Sequence, residues 1–437
     1  MGTISFQAPL HFVVFSGLGL IDIDLSLRQA PEDTMADSET ESSSPTALVL
    51  RMLANLVGKY EELARREPGE EKEELTQDDL ETKRLLLTQL ELSLLPSLQN
   101  QLDSYLTSLD IQDDLRNLEP NCELTCEFLS RLEQTLDQTR ECVESAALDV
   151  IPIGTHDHHL KELKAFRCTT LMSSISSFTY GLQTLFEMSI LFVHKWHDWT
   201  RDPESTECQQ LASFWKDYAR RSGTECNKTI RQAYKVLKGS DLDIIQDEWQ
   251  EKAESLNSTI EVLTSLTTIL PRRNRSAFRQ HMIKLAHLTM PLIKLIRIFY
   301  NDFSSRTRKN LRFTLDTELN SETLTQLHKS ATEVTGSFVI LGYTLRASYD
   351  KNSLAYDHNL IPKRIQVISQ TLDSTLVILA MYLIPLPGQT GHSPAANHYK
   401  ARFVALQERW HCAIKNLSTT LLSFEGHHHQ QRAAPEE

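Results

Sequence analysis

The most unusual chemical feature of the chain is a run of cationic side chains between residues 272 and 312. It holds eleven basic residues and a single acid, Asp302, within a chain whose formal net charge is −13. Such a charge asymmetry creates a local field that attracts an acidic protein, a phosphorylated peptide or a nucleic-acid backbone. The candidate binding surface comprises Arg272, Arg273, Arg275, Arg279, Lys284, Arg306, Arg308, Lys309 and Arg312.

The basic run can also have a purely structural explanation, without a binding role. The segment can lie against acidic helices of the same chain, for example the stretch from Glu61 to Asp79, or form an ordinary solvated face. The aromatic residues among the cations are few, and most of them fall on the apolar stripe of the helix. Because nucleic-acid bases stack on exposed aromatic rings, we do not expect base stacking here.

A zinc site is the second chemistry to weigh. Cys122 and Cys126 are four residues apart on one predicted helix face, and His156, His158 and His159 follow near the end of the same hairpin. Zinc sites built on cysteine usually use a shorter, two-residue spacing, which this chain does not have. The pattern favours ordinary buried or surface thiols, and we predict no metal ligands.

Short catalytic and cofactor signatures are missing from the sequence. There is no Gly-x-Ser-x-Gly and no Walker loop, and Gly17 and Gly19 lack the third glycine of a dinucleotide fingerprint. His194 and His197 lack the glutamate and spacing of a zincin helix, and we interpret them as flanking tryptophans at a lobe junction. The sequence therefore predicts a non-enzyme without catalytic residues or cofactor, although a helical active site without a short signature stays an alternative.

Apolar periodicity predicts an all-α protein. Glycine accounts for only 14 of 437 residues, a scarcity that argues against doubly wound α/β enzymes. Leucine-type residues recur in steps of three and four along most of the chain, which is the spacing of one buried helix face. We predict about ten long helices in two antiparallel bundles. The clearest stripe is Leu324, Leu327, Ala331, Val334, Phe338, Leu341 and Leu345.

Composition changes along the chain indicate four segments. Residues 1–44 are predicted to be a disordered extension, 45–202 an N-terminal bundle, 203–425 a C-terminal bundle and 426–437 a disordered tail. The division between the bundles is loose within 202–240, because the helix between those limits can be shared by both.

Local signals predict where helices begin, bend and end. Ser44 before Pro45, and Thr76 three residues before Asp79, are typical helix starts. Pro96 should kink or restart its helix. At the sequence Lys238-Gly239-Ser240, glycine is free to take the left-handed conformation before the next cap. The alternation of Leu311, Phe313 and Leu315 resembles a strand, but no second strand is evident for it to join.

The chain is predicted to be cytoplasmic or nuclear. Its seven cysteines are odd in number and scattered, which favours a reducing compartment. The apolar stretch from Leu10 to Ile21 resembles the core of a secretory signal, but no basic residue precedes Arg28 and no cleavage pattern follows, so secretion is the lesser alternative. The longest strongly apolar run, Leu376 to Leu386, is too short to span a bilayer.

Three leucine-rich runs carry a resemblance to known proteins. The stretches Leu94 to Leu102, Leu132 to Thr139 and His159 to Arg167 resemble a large family of uncharacterised helical proteins of rust fungi, over about residues 80–425. The architecture is also similar to that of the cyclin-D-interacting helical proteins, which are two-lobed and bind other proteins. This resemblance implies an interaction protein without a catalytic centre, and it assigns no functional residue.

The leading hypothesis is a scaffold that binds a protein partner through grooves between helices or through the basic surface. Phosphate or nucleic-acid binding through residues 272–312 is the alternative, disfavoured for nucleic acid by the acidic charge of the whole chain. Neither the identity of the partner nor the oligomeric state follows from the sequence.

Overall fold

The computed structural model of the protein describes residues 44–63, 76–111, 120–147, 157–268, 276–304, 313–356, 359–385 and 395–432. The described residues are almost entirely helical and form two antiparallel bundles, which confirms the predicted fold class. The predicted N-terminal extension, apart from Ser44, lies outside these residues. The helices are α1 (Pro45–Leu63), α2 (Gln77–Gln89), α3 (Leu95–Ser108), α4 (Cys122–Ala146), α5 (Ala165–Arg201), α6 (Thr206–Lys238), α7 (Asp241–Thr267), α8 (Ala277–Ser304), α9 (Ser321–Lys351), α10 (Leu360–Tyr382) and α11 (Ala395–Arg432).

The N-terminal bundle is organised around the hairpin of α5 and α6. These two helices pack against each other along most of their length, and α1 lies on α5, where the rings of Tyr60 and Phe186 stack with centroids 6.3 Å apart. Helix α3 lies between α4 and α6. Gln101 Nε2 donates to Thr135 Oγ1 at 2.9 Å on one side, and Asn227 Nδ2 donates to Asp103 Oδ1 at 2.9 Å on the other.

The C-terminal bundle consists of α7 to α11. Helix α9 packs against α7, α8 and α10, and α11 covers α8 and α10. Two fully buried tryptophans connect neighbouring helices through their indole N–H groups. Trp249 Nε1 donates to the carbonyl of Leu327 at 3.0 Å, and Trp410 Nε1 donates to Ser369 Oγ at 3.3 Å. Each ring is therefore both an apolar core element and a hydrogen-bonded link.

A two-stranded sheet, β1 (Phe313–Leu315) and β2 (Leu383–Pro385), joins the ends of the C-terminal bundle. The strands are antiparallel, with Thr314 opposite Ile384. The expectation that the Phe313 run has no strand to join is therefore wrong. Its partner follows α10 directly, where Pro385 disfavours a helical conformation for Ile384 and the chain becomes extended.

The predicted helix starts are confirmed. Ser44 Oγ accepts from the N–H of Ala47 at 3.3 Å, ahead of Pro45 in the first helical position. Thr76 and Asp79 form a reciprocal capping box at α2, and Ser240 forms the same arrangement with Asp243 at α7.

Pro96 restarts its helix through a π-helical turn at Leu90–Leu94. The N–H of Leu95 reaches back to the carbonyl of Leu90, one residue farther than in an α-helix. Proline has no N–H for the carbonyl four residues earlier and its ring crowds that group. The wider turn accommodates both effects, and α3 then continues from Leu95.

Helix α6 belongs to the N-terminal bundle by its packing. It contacts α5 extensively and α3 to a lesser degree, and its smaller contact with α7 consists largely of side-chain pairs such as Lys228 and Gln232 with Glu251. The division between the bundles thus falls at Gly239, at the far end of the predicted interval of 202–240. At the other end of the chain, α11 continues to Arg432 and so includes part of the segment that the sequence assigned to a disordered tail. A single glycine, Gly426, is insufficient to end a helix.

A buried ionic cluster connects the two bundles. Lys164, whose side chain is 5% exposed, donates to Asp241 Oδ2 at 2.9 Å and to the carbonyl of Leu319 at 3.1 Å. Arg167 donates to Asp241 Oδ1 at 3.1 Å and to the carbonyls of Gly239 and Val236. Every partner of these two cations is therefore close to the beginning or end of a helix.

Asp157 completes this connection. Its carboxylate accepts the N–H of Ala165 at 3.0 Å at the start of α5, and the N–H and Oγ–H of Ser321 at the start of α9. One buried anion thus caps two helices from different bundles. We call Asp157, Lys164, Arg167 and Asp241 the inter-bundle cluster.

Gly239 departs from the expected conformation. Its φ is −77°, so it is extended, and the left-handed conformation predicted from the sequence is wrong. Space explains the glycine instead, because a β-carbon at this position would lie 2.7 Å from the carbonyl oxygen of Lys235.

Two glycine substitutions should therefore act in opposite directions. Gly239→Ala should lower the free energy of unfolding, because backbone must move to accept the methyl group. Gly58→Ala, in the middle of α1 with no atom within 4 Å of the new β-carbon, should raise it by about 1 kcal/mol through helix propensity. Urea denaturation measures both, and stabilisation by Gly239→Ala would contradict the steric explanation.

Candidate binding surface on helix α8

The structure describes only part of the predicted basic surface. Arg279 and Lys284 lie on α8, whereas the other candidates fall outside the described residues: Arg272, Arg273, Arg275, Arg306, Arg308, Lys309 and Arg312. Helix α8 also carries Lys294 and Arg297 from the same basic run. These four side chains differ sharply in what they contact.

Arg279 connects α8 to the C-terminal end of α9 through its guanidinium group. Its Nε donates to the carbonyl of Tyr349 at 3.0 Å and its Nη2 donates to that of Asp350 at 3.3 Å. The guanidinium also lies 5.4 Å from the centroid of the Tyr349 ring, a cation–π distance. A cation near the last carbonyls of a helix is favourable, so Arg279 closes α9.

Lys284 and Lys294 are available to a partner. Both are exposed, and neither forms an ion pair with any residue that the structure describes. Arg297 instead donates to Asn257 Oδ1 at 2.6 Å, and Asp302 pairs with Arg402. Among the four basic residues of α8, the two lysines are thus the exposed ones that have no ion pair within the described residues.

The two lysines belong to one continuous face of α8. Lys284, His287, Lys294 and Ile298 are all exposed, and their spacing of three, seven and four residues keeps them on the same side of an α-helix. Ile298 is 54% exposed, which places an apolar side chain beside the cations. We call these four residues the α8 outer face.

Compensation of this face by the acidic stretch Glu61 to Asp79 is not observed among the described residues. Helix α8 packs on α7, α9 and α11, whereas α1 and α2, which flank that stretch, pack on α4 and α5. For Lys284 and Lys294 the structural explanation that remains from the sequence is an ordinary solvated face; residues 64–75 of the acidic stretch lie outside the described residues.

The aromatic residues of α8 pack into the hydrophobic core. Phe299 and Tyr300 are buried against Trp249, with ring centroids 5.6 and 5.1 Å from it. Burial also raises the pKa of the Tyr300 hydroxyl. Phe278 and Phe303 are partly buried against the same core. On α8 these rings pack in the core and offer no exposed platform for base stacking.

The thiol and imidazole groups considered for zinc do not converge within the described residues. Cys122 Sγ is buried 3.7 Å from Thr46 Oγ1, and His158 Nε2 lies 3.2 Å from a carboxylate oxygen of Glu318. Burial, and to a smaller degree the Cys122 thiol, raises the pKa of Cys126 and so favours its protonated form over the thiolate that binds metals. His156 lies outside the described residues, within which no group of three potential metal ligands occurs.

His194 and His197 are not at the junction of the bundles, so that interpretation is wrong. They lie near the C-terminal end of α5, whereas the junction contacts its N-terminal end at Arg167. At 1.5 Å per residue, the two ends are separated by about 40 Å. The flanking Trp196 and Trp199 therefore belong to the tip of the α5–α6 hairpin.

A cavity of about 320 Å³ lies beside the inter-bundle cluster, between α2, α5, α6 and the π-helical turn. Two carboxylates line it, and each has a cationic partner. Glu162 pairs with Arg84 at 2.9 Å, and Glu91 pairs with Lys238 at 3.2 Å. Histidine is missing from its described lining. The carboxylates act as ion-pair partners here and do not form a free acid–base pair.

One described helix has the length and composition of a membrane span. It is α10, with a mean hydropathy of 1.2 in its most apolar window, one third of which is buried in the bundle. A core helix of a folded domain passes the same test. The predicted lack of a membrane span stays a prediction.

Sequence comparison divides the chain at the same place as the packing. Residues 83–238 match a family model described as Domain of unknown function (DUF8723), and residues 240–419 match one described as Domain of unknown function (DUF8721). A comparison with curated proteins finds no match. The two matched ranges adjoin at Gly239, between α6 and α7.

Alanine substitutions of Arg279 and Lys284 should have different effects on the free energy of unfolding. Arg279→Ala should lower the free energy of unfolding by about 1–3 kcal/mol, because two hydrogen bonds from a charged group and the ring contact are lost. Lys284→Ala should change it by less than about 0.5 kcal/mol. Equal losses for both variants in urea denaturation would contradict this assignment.

Proposed function

We propose that the protein is a non-enzymatic helical scaffold that binds an acidic segment of a protein partner through the α8 outer face. One observation carries the proposal. Lys284 and Lys294 project from α8 without an ion pair among the described residues, and the exposed Ile298 lies beside them. A cytoplasmic or nuclear location is part of the proposal and follows from the scattered cysteines alone.

The chemistry of the face favours a folded or helical protein segment. Charged rim residues raise the association rate and select partners of opposite charge, while an apolar side chain supplies most of the contact energy. The face offers both, on a helix whose other sides are held by α7, α9 and α11. Because the backbone of the face is already helical, the entropic cost of binding for this chain is confined to ordering its side chains.

Nucleic acid or phosphate is the alternative ligand of the same segment. Seven further basic residues flank α8 in the sequence, which supports that alternative. Against it, Lys284 and Lys294 are about 15 Å apart along the helix, whereas double-stranded DNA carries a charge every 1.7 Å or so. The aromatic rings of α8 are also committed to the core. We therefore favour the protein partner.

Charge reversal on the α8 outer face should abolish partner capture. In affinity purification of the full chain from its native source, Lys284→Glu/Lys294→Glu should lose partners that the wild type retains. Lys329→Glu/Lys363→Glu is a matched control, since both lysines are exposed on α9 and α10 of the same bundle. The thermal midpoint should stay unchanged in both variants. Undiminished capture by the α8 variant would exclude this surface.

Polyanion binding should be weak. At about 0.05 M salt, where phosphate contacts are strongest, a gel-shift titration with duplex DNA and single-stranded RNA should give affinities no better than those of non-specific binding. Tight binding that falls steeply with salt, and that Lys284→Glu/Lys294→Glu weakens, would instead establish the alternative.

A further inference from the structure

A second exposed helix face complements the α8 outer face. On α2 and the π-helical turn after it, Asp78, Glu81, Leu85 and Leu92 are all exposed and follow one side of the helix. Leu85 is 62% and Leu92 69% exposed, which is unusual for two leucines seven residues apart on one side. We call these residues the α2 outer face.

The two faces are complementary in charge, and each also exposes at least one apolar side chain. The α8 outer face presents two lysines and an isoleucine, and the α2 outer face presents two carboxylates and two leucines. Within one chain the faces lie in different bundles, and no substantial packing joins α2 to α8 in the described residues. Contact between them is therefore open to two separate copies of the chain.

The spacing along the two helices is also matched. Lys284 precedes Ile298 by fourteen residues, and Asp78 precedes Leu92 by the same number. Fourteen residues of α-helix span about 21 Å; the α8 interval includes Pro291, and the last three residues of the α2 interval lie in the π-helical turn. A parallel alignment that sets Lys284 opposite Asp78 brings Ile298 near Leu92, so that an ion pair and an apolar contact form together.

We propose that the chain self-associates by packing the α2 outer face of one copy on the α8 outer face of a second copy. This inference rests on the proposed role of the α8 outer face and names one partner for it. Because every copy carries both faces, two copies can exchange both contacts and form a closed dimer. The net negative charge of the chain opposes association only at long range, since salt at about 0.1 M screens charges beyond roughly 10 Å.

Charge exchange between two variants tests the pairing. By sedimentation velocity at about 50 µM protein, in the range of a micromolar dimer, the full-length wild type should sediment as a dimer at about 0.1 M salt and as a monomer at about 1 M. Lys284→Glu and Asp78→Lys should each weaken self-association at least tenfold. Mixed in equal amounts they should form a dimer again, because Glu at 284 then meets Lys at 78 while the second contact keeps its native pair.

Two further variants separate this pairing from general charge effects. Ile298→Ser and Leu92→Ser should each weaken association. Mixing them regains one native contact of Ile298 with Leu92 but leaves serine opposite serine at the other contact, so the mixture should recover only part of the wild-type affinity. Lys329→Glu, with the same charge change on α9, should associate like the wild type. If Asp78→Lys lowers the thermal midpoint, Asp78→Asn, which removes the charge without placing a cation in the first turn of α2, should weaken self-association in its place.

The outcomes distinguish this inference from the proposed function. A wild type that stays monomeric, or a mixture of charge variants that does not dimerise, overturns the pairing of α2 with α8. If the α8 variant still loses its captured protein partners in that case, the proposed function is retained. Conversely, restored dimers with undiminished capture by the α8 variant would support the self-association and exclude the proposed function.

Discussion

The arrangement of the whole molecule depends on buried charges that lie at helix ends. Arg167 contacts the last carbonyls of α6, where a cation is favoured by the helix dipole, and Asp157 accepts from the first amides of α5 and α9, where an anion is favoured. Asp241 lies in the first turn of α7 and pairs with both cations. Removing Asp241 would leave these buried cations without their anion, typically at a cost of about 3–5 kcal/mol. This cluster therefore fixes which helix ends meet, and with them the relative position of the two bundles.

The same principle separates structural from available cations on α8. Arg279 donates to a carbonyl at the end of α9, as Arg167 does at the end of α6, so both side chains stabilise the fold. Lys284 and Lys294 project from the body of their helix and form no ion pair or carbonyl contact within the described residues, so they contribute nothing comparable to stability. The proposed binding surface is built on these two lysines and the exposed Ile298.

The sequence was sufficient for features that depend on neighbours within a few residues. Stripes such as Leu324 to Leu345 and caps such as Ser240 with Asp243 follow from helix periodicity and local hydrogen bonding. It was insufficient where the partner is distant. Lys164 and Leu319 are 155 residues apart, Phe313 pairs with Pro385, and the role of Arg279 depends on where α9 ends. Lys294 and Ile298 could have been added to the candidate surface by following the helical repeat from Lys284. The contact of Arg279 with the end of α9 could not have been predicted, because the sequence does not show which carbonyl of another helix lies within reach.

The α5–α6 hairpin has a consequence for the order in which the molecule assembles. Its two helices are joined by residues 202–205, so closing the loop between them costs little entropy, and together they bury a large shared apolar surface. Contacts of this local kind form quickly, whereas the link between Lys164 and Leu319 requires a long stretch of chain to be positioned first. We expect the hairpin to form early in folding and the C-terminal bundle to dock on it late. During synthesis, the N-terminal bundle can therefore fold before the C-terminal bundle has left the ribosome.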